Sequence, residues 1–241
     1  MPPRFYVDTA LRAGTTCPLP EDSAHHAVHV LRIRSGDEIT LFNGRGGEYA
    51  GRVAGIERLK VMADVLQHRA VERESPLRIK LVQGVSAGER MDFTIRKAVE
   101  LGVAEIQPVL AAASVARPKG ERAAARHNHW QRIAIAACEQ CGRNRIPEVR
   151  SLVSAADYRD ESTAARILLS PGAELRFSQL SKSITDLVTL AAGPEAGFNE
   201  AEEAAFANAG FVPAKLGPRV LRTETAALAA IAALNALRGD F

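Results

Sequence analysis

The sequence predicts an α/β protein in two parts, a small first part made mostly of strands and a larger second part in which strands and helices alternate. Three observations support this prediction. A length of 241 residues is comfortable for two domains. Hydrophobic residues make up 46% and charged residues 24%, which is typical of a globular chain with a sizeable core. Beyond Ser75-Pro76 the apolar pattern changes from short alternating runs to strand–helix–strand order.

The first part contains hairpin signals. Residues 38–68 carry short alternating apolar runs separated by Asn43-Gly44 and Gly46-Gly47, which favour tight turns between strands. Before them, residues 23–33 hold Ala24, Val28 and Leu31 at helical spacing and predict one short helix. Residues 73–77 (RESPL) predict a linker, because the residue before a proline is disfavoured in a helix.

The second part begins with a buried-strand run at 77–85, a helix at 89–102 that ends at Gly102, and a strand at 103–111. This order predicts a parallel sheet covered on both faces. An amphipathic helix follows at 129–143. Its apolar positions recur at helical spacing and include two cysteines: Trp130, Ile133, Ala134, Ala137, Cys138 and Cys141.

The last third predicts two strands, at 165–171 and from 187, each followed by a Pro or Gly turn. A helix at 200–210 follows, with Glu200, Glu202 and Glu203 near its positive N-terminal end. The final helix is rich in alanine and is preceded by LGPRVLRTET, residues 216–225. Thr223 or Thr225 is expected to cap this helix, and Glu224 suits its first turn.

Several classes of protein are disfavoured by the sequence. No apolar run reaches the roughly 18–20 residues that a membrane span needs, and residues 1–14 lack a secretion signal. The three cysteines, Cys17, Cys138 and Cys141, do not make a full disulfide set, so a cytoplasmic location is expected. P-loop, dinucleotide-binding, G-x-S-x-G and H-E-x-x-H motifs do not occur.

Metal binding is also disfavoured. The histidines at 25, 26 and 29 have no accompanying Cys or carboxylate at ligand spacing. Cys138 and Cys141 form C-x-x-C inside a strongly periodic helix without a second pair, so both thiols are expected to pack in the core.

The charge distribution hints at a polyanionic partner. The net charge is only +3, but residues 76–150 hold 13 basic and 7 acidic side chains. A local basic excess of this kind is typical of surfaces that meet nucleic acid, although a solvated face gives the same pattern.

Three strand-end segments carry the main functional signal: residues 168–171 (LLSP), 191–198 (AAGPEAGF) and 216–225. In an open parallel sheet, ligands bind beyond the carboxyl ends of the strands, and glycine turns let the backbone approach a ligand closely. Arg219 and Arg222 precede a helix, where the dipole disfavours positive charge. They are tolerated there only in solvent or beside an anionic partner, which a phosphate-bearing substrate would supply.

The segments GPEAGF, LGPRVLRTETA, ACEQCGRNRIPE and HHAVHVLRIRSGDEI resemble, in motif order and over nearly the whole length, the RsmE family of small-subunit ribosomal RNA methyltransferases of the SPOUT class. The resemblance implies a PUA-like RNA-binding β-barrel at 1–72. It also implies a SPOUT α/β domain with a deep trefoil knot at 73–241. It further implies a homodimer, a bound S-adenosylmethionine, and methylation of N3 of a uridine in 16S rRNA within the small ribosomal subunit.

The resemblance also implies a cofactor pocket formed by Leu169, Gly193, Pro194, Glu195, Ala196, Gly197, Leu216, Gly217, Val220, Leu221, Arg222 and Thr223. Ala196 stands where the family has glycine, so we expect an ordinary backbone angle there or a slightly strained loop. A sulfonium methyl donor is already activated, so no metal is expected. For the alanine-rich last helix, burial within its own subunit is one explanation, and the resemblance favours a dimer interface instead.

Uracil N3 carries a proton and is a poor nucleophile until that proton leaves. Glu224 is the candidate base, and Arg219 or Arg222 is expected to stabilise the anion or to clamp a phosphate. Six further basic residues are candidates for the RNA backbone: Arg4, Arg32, Arg34, Lys97, Arg143 and Arg145. Two alternatives stay open, a SPOUT methyltransferase with another RNA target and a noncatalytic RNA-binding assembly factor.

Overall fold

The computed structural model describes residues 2–114, 117–160, 165–180 and 184–241. These residues form two compact units. The first unit consists of the chain up to Glu74 together with Ile135–Ile146, and the second consists of Ser75–Ala134 and Pro147–Phe241. The sequence predicted a single boundary near residue 73. It did not predict that Ile135–Ile146, the end of a long helix and the turn after it, belong to the first unit.

The first unit is built on a five-stranded sheet in the order β1-β3-β4-β5-β2, in which β1 and β3 are parallel and the other pairs are antiparallel. Its elements are β1 (Arg4–Tyr6), β2 (Thr16–Pro18), α1 (Glu21–His29), β3 (Glu38–Phe42), β4 (Glu48–Glu57) and β5 (Lys60–Arg69). The hairpin predicted at residues 43–47 is confirmed between β3 and β4, whereas β4 and β5 are joined by a turn at Arg58-Leu59 that carries no glycine signal. The predicted helix over 23–33 runs too far, because α1 ends at His29 and Arg32 has a φ of 55°.

A buried ion-pair network holds the first unit together. Arg4 donates to Glu48 at 2.6 Å and to the side chain of Asn144 at 2.6 Å, and Arg73 donates to Glu48 at 3.0 Å. Burial alone would raise the pKa of Glu48, but the hydrogen bonds and charges of Arg73 and Arg4 outweigh it and hold that pKa below its ordinary value. The ionised carboxylate is therefore part of the folded structure.

The second unit is built on a parallel sheet in the order β12-β10-β11-β6-β7-β8, with β9 also paired to β7. Its elements are β6 (Arg78–Gly84), α2 (Glu89–Glu100), β7 (Glu105–Leu110), α3 (Glu121–Cys141), β8 (Glu148–Val149), β9 (Val153–Ser154), β10 (Ala165–Leu169), α4 (Phe177–Leu180), β11 (Leu187–Ala192), α5 (Glu200–Asn208), β12 (Val212–Ala214) and α6 (Thr223–Arg238). The predicted parallel sheet is confirmed.

Both faces of this sheet are covered. Consecutive residues 188–192 of β11 are each at most 1% exposed, and successive strand side chains point to opposite faces. Phe206 of α5 packs against Val82, Leu168 and Ala191 of three neighbouring strands. Helix α6 packs against α2 and also contacts β11 and β6. Within the described residues, no helix is both long and apolar enough to cross a membrane.

The two cysteines of α3 differ. Cys138 is fully buried, and burial raises the pKa of its thiol to about 12, so packing is confirmed for this residue. Cys141 is only half-buried, and the prediction of a core position is wrong for it. The helix itself begins at Glu121 rather than at His129, because its first two turns are too polar to show an apolar stripe.

Replacing Glu48 by glutamine is expected to lower the free energy of unfolding near neutral pH by roughly 1–3 kcal/mol, because a charge-assisted acceptor for two arginines is lost. A carboxyl whose folded pKa is lowered stabilises the fold above its unfolded value, near 4.5, and loses that contribution as the pH falls. The difference between wild type and Glu48→Gln should therefore shrink below about pH 4.5 in denaturant titrations. Glu57→Gln, at an exposed position of β4, is the matched control.

Candidate functional site

Three strands of the parallel sheet in the second unit end side by side, and each is followed by a loop. In the parallel register Leu169 of β10 lies opposite Ala192 of β11 and also opposite Ala214 of β12, and each of these residues ends its strand. We call residues 170–176, 193–199 and 215–222 the first, second and third loops. The prediction that the three strand-end segments meet at one edge of the sheet is confirmed.

The second loop packs so closely against the end of β6 and against itself that no side chain fits at Gly84 or Gly193. A Cβ on Gly84, at the end of β6, would lie 2.4 Å from the nitrogen of Pro194. A Cβ on Gly193 would lie 3.0 Å from the carbonyl carbon of Gly197. Gly197 donates its N–H to the carbonyl of Pro194 at 2.9 Å and has a φ of 74°. Two backbone segments therefore touch directly here, which glycine permits.

Ala196 carries no backbone strain. Among the described residues, Arg32 and Arg58 are the non-glycine residues with positive φ, so Ala196 has an ordinary backbone angle. This outcome confirms the first of the two expectations for that position. The left-handed conformation falls on the next residue, Gly197, where it costs little.

Glu195 ties the second loop to the start of α2. Its carboxylate accepts from the N–H of Ala87 at 3.0 Å and from the guanidinium of Arg90 at 2.7 Å. Burial alone would raise the pKa of Glu195, but its own backbone N–H and Arg90 hold it below its ordinary value. The carboxylate is thus occupied within the protein and fixes the loop rather than pointing into open space.

A buried hydrogen-bond chain joins α6 to the second loop. The hydroxyl of Thr223 donates to the carbonyl of Gly193 at 2.5 Å and accepts from the amide of Gln83 at 3.0 Å. Gln83 is fully buried and Thr223 is 7% exposed. Sequence reasoning missed Gln83, although a single polar residue before a glycine in an apolar strand is a usable signal.

The expected helix cap is wrong. Helix α6 begins at Thr223, its N-cap residue is Arg222, and no side-chain capping bond occurs there among the described residues. The hydroxyl of Thr223 is committed to Gly193 instead. Glu224 lies in the first turn as predicted.

The first and third loops line a cleft. Leu169, Leu216, Gly217 and Leu221, which are expected in the cofactor pocket, line it together with Arg219. The remaining lining residues were not assigned from the sequence: Ser170, Pro171, Ala214, Lys215 and Ala226. The second loop does not line this cleft; Thr223 connects it to the third loop. Val220 is 80% exposed and points away from any packed environment.

The third loop offers donors. Within the described part of the chain, no acceptor is bound by the backbone N–H groups of five residues of this loop: Leu216, Gly217, Arg219, Val220 and Leu221. Arg219 and Arg222 are exposed, and Oε2 of Glu224 is buried without a hydrogen-bond partner among the described residues. A buried carboxylate oxygen without a partner is unusual in a folded protein. The backbone donors of this accessible loop are available to a ligand.

The candidate RNA contacts fall into two groups. Arg32 and Arg34 are exposed, Lys97 pairs with Glu100 at 2.8 Å, and Arg145 is 57% exposed beside Glu72. Arg4 and Arg143 are each only 5% exposed and bind Glu48 and Glu74, respectively. These two arginines are positioned as structural residues of the first unit, which corrects their expected availability to a phosphate. Among the described residues, no cluster of three or more potential metal ligands occurs.

Comparison with known proteins defines the class. The model of an RNA methyltransferase domain matches residues 73–235, and that of an RNA methyltransferase PUA domain matches residues 19–66. The parallel sheet with its three loops is thus the methyltransferase domain of an RNA-modifying enzyme, preceded by a PUA domain.

Individual relatives narrow the class to one family. Ribosomal RNA small subunit methyltransferase E of Buchnera aphidicola (subsp. Schizaphis graminum) is 35% identical over 99% of this chain and 97% of its own length. The Neisseria gonorrhoeae enzyme of the same name, solved bound to S-adenosyl methionine, is 40% identical with a TM-score of 0.91 over 100% of both chains. A Legionella pneumophila protein solved with SAM is 36% identical with a TM-score of 0.94 over 100% of both chains. The chain belongs to the ribosomal RNA small subunit methyltransferase E family.

Replacing Thr223 by valine is expected to lower the free energy of unfolding by about 1–3 kcal/mol, because the buried carbonyl of Gly193 and the amide of Gln83 lose their partner. Thr223→Ser keeps the hydroxyl and should retain most of the stability. Thr225→Val, at an exposed position of the same helix, is the matched control for β-branched substitution. Equal unfolding midpoints for Thr223→Val and Thr225→Val would contradict the role assigned to this hydroxyl.

Proposed function

We propose that this protein uses S-adenosylmethionine to methylate N3 of a specific uridine in 16S rRNA. The observation that carries the proposal is the common level at which β10, β11 and β12 end, since it gathers three glycine- and proline-rich loops at one edge. The family assignment supports the reaction class, because relatives of closely similar fold bind S-adenosylmethionine.

The residues at this edge fit such a cofactor. Leu169, Leu216 and Leu221 give the cleft apolar walls suited to an adenine ring, and the unpaired N–H groups of the third loop can recognise its polar edge. Gly217 leaves the backbone open to close approach, since a Cβ there would meet no atom within 4 Å. The cofactor, when bound, supplies a methyl group on a sulfonium that is already activated for transfer. The proposed cofactor contacts are those implied by the family resemblance. Gly193–Gly197 are proposed to contact the cofactor on the side opposite the first and third loops.

The protein's own task is to place the uridine and to manage its N3 proton. Glu224, whose Oε2 is unpaired among the described residues, is the proposed proton acceptor. Arg219 and Arg222 precede it in sequence and are exposed, so they can stabilise the uracil anion or hold a phosphate of the target nucleotide. Alignment of acceptor and donor supplies much of the remaining acceleration.

The RNA is proposed to be held by the PUA domain and by surface cations. Arg32, Arg34, Lys97 and Arg145 remain in the proposed contact set, whereas Arg4 and Arg143 support the fold. Reaching N3 in structured RNA requires that the base leave its pairing or stacking environment.

We also propose the knot, the homodimer and a cytoplasmic location that the family resemblance implies. The path of the chain supports the knot: β12 lies at the edge of the sheet, yet α6, which follows it, packs back on β11 and β6. The third loop thereby runs beside the second, to which Thr223 bonds. For the dimer, the exposed Leu237 and Phe241 at the end of the chain give α6 an apolar border.

Incubation of unmodified small ribosomal subunits or 16S rRNA with the protein and S-adenosylmethionine is expected to yield 3-methyluridine in nucleoside digests. Mass spectrometry of the digests measures the product, and omission of the protein is the control. A methylated ribose or guanine in place of 3-methyluridine would redirect the target, and no methylated nucleoside from either substrate would refute the activity.

Separate substitutions test the proposed roles of Glu224 and Arg222 in the reaction. Glu224→Gln should reduce kcat by about 10²–10⁴ if it removes the proton acceptor, with partial recovery at high pH where solvent takes the N3 proton. Arg222→Ala should reduce turnover by about 10² or more, and Arg222→Lys should recover part of it. Both substitutions should leave the unfolding midpoint nearly unchanged, and Glu224→Gln should also leave the calorimetric affinity for S-adenosylmethionine nearly unchanged. Wild-type turnover in either alanine or glutamine variant would remove that residue from the mechanism.

A further inference from the structure

A second cleft in the second unit is lined mainly by three arginines and a histidine. Arg117, Arg122, Arg126 and His129 surround it, with Pro118 and Ala125 completing the wall. Arg122, Arg126 and His129 recur at i, i+4 and i+7 and therefore share one face of α3. The three arginines belong to the basic excess of residues 76–150, but none of them was assigned a role from the sequence.

Few carboxylates neutralise this cleft. Asp92 of α2 accepts from His129 at 2.8 Å. Arg117 donates to the backbone carbonyls of Ala112 and Ser114 rather than to an acid. For Arg122 and Arg126, no ion-pair partner occurs among the described residues, and both side chains are exposed. Guanidinium groups gathered without counter-charges repel one another until an anion binds, and their planar forks match phosphate oxygens in a bidentate manner.

The cleft lies at the same edge of the sheet as the three loops. Helix α3 follows β7 in a parallel sheet, so its first turns begin beyond the carboxyl ends of the strands. Ser114, in the segment after β7, donates to the carbonyl of Val85 at 3.3 Å, which places that segment against the one after β6.

Residues 85–92 contact the cleft on one side and the cofactor loops on the other. Asp92 holds His129 of the cleft, while Arg90, two residues earlier, holds Glu195 of the second loop at 2.7 Å. One turn of α2 therefore separates the cationic cleft from the proposed cofactor site. A polynucleotide whose target base enters that site has phosphates within a few nucleotides of this surface.

We propose that Arg117, Arg122 and Arg126, with His129 positioned by Asp92, form a subsite for the RNA backbone that holds phosphates next to the target uridine. This inference rests on the proposed function, because it assigns the RNA substrate of that same site. The subsite contributes affinity and placement without reading sequence, as phosphate contacts do.

The test uses the double variant Arg122→Ala/Arg126→Ala and purified 16S rRNA. Its Kd for the RNA in filter binding should rise roughly tenfold or more, since two charge-assisted contacts are lost. The slope of log Kd against log salt concentration should fall by about 1–2 in magnitude, because fewer counterions are released. Affinity for S-adenosylmethionine, measured by calorimetry, should stay at the wild-type value and shows that the domain is folded.

Two controls make the result specific. Arg78→Ala removes an exposed arginine at the amino end of β6, on the opposite edge of the sheet, and should leave RNA affinity unchanged. Arg122→Lys/Arg126→Lys retains both charges and should keep the wild-type salt slope. An unchanged Kd and slope in the double alanine variant, or an equal loss in Arg78→Ala, would overturn the proposal. Failure of the wild-type protein to form 3-methyluridine, with the RNA-binding differences intact, would refute the proposed function but not this subsite.

Discussion

The functional edge of this protein depends on the register of three parallel strands. Leu169 of β10 is paired with the last residue of β11 on one side and with the last residue of β12 on the other. The three loops therefore start side by side. A slip of one residue in either pair would displace a loop by about 3.3 Å and turn every side chain of the slipped strand to the opposite face. The apolar burial on both faces of β11 and the close packing of Gly84 against Pro194 oppose such a slip.

The same edge contains buried polar groups that the fold alone does not explain. Gln83, Thr223 and the carbonyl of Gly193 form a hydrogen-bonded chain in otherwise apolar surroundings. The Oε1 atom of Gln83 and the Oε2 atom of Glu224 lie buried without a partner among the described residues. Leaving such atoms unpaired costs stability. A site selected only for stability would replace them with apolar atoms, so their presence is consistent with a ligand-binding role.

The sequence predicted what periodicity and local turns encode. The parallel sheet, the β3–β4 hairpin and the three strand-end loops follow from apolar spacing and from glycine and proline positions. Strands β8, β9 and β12 have two or three residues each, too few to show a period. The Thr223 hydroxyl was misassigned because a threonine before an alanine-rich run satisfies the local rule for a cap, whereas its partner Gly193 is 30 residues away in sequence. Arg4 and Arg143 were misassigned similarly, since the carboxylates that neutralise them are equally remote.

Charge along this edge is divided rather than uniform. Arg219 and Arg222 lie at the third loop, and Arg117, Arg122 and Arg126 lie at the start of α3. Between them, in the first turn of α2, Arg90 is neutralised by Glu195 of the second loop. A polyanion meets attraction at two separated places and a neutral stretch in the middle. In the proposed arrangement, Arg219 and Arg222 can hold a phosphate of the target nucleotide and the subsite at α3 holds phosphates next to it, so the backbone is fixed while the base leaves its stack.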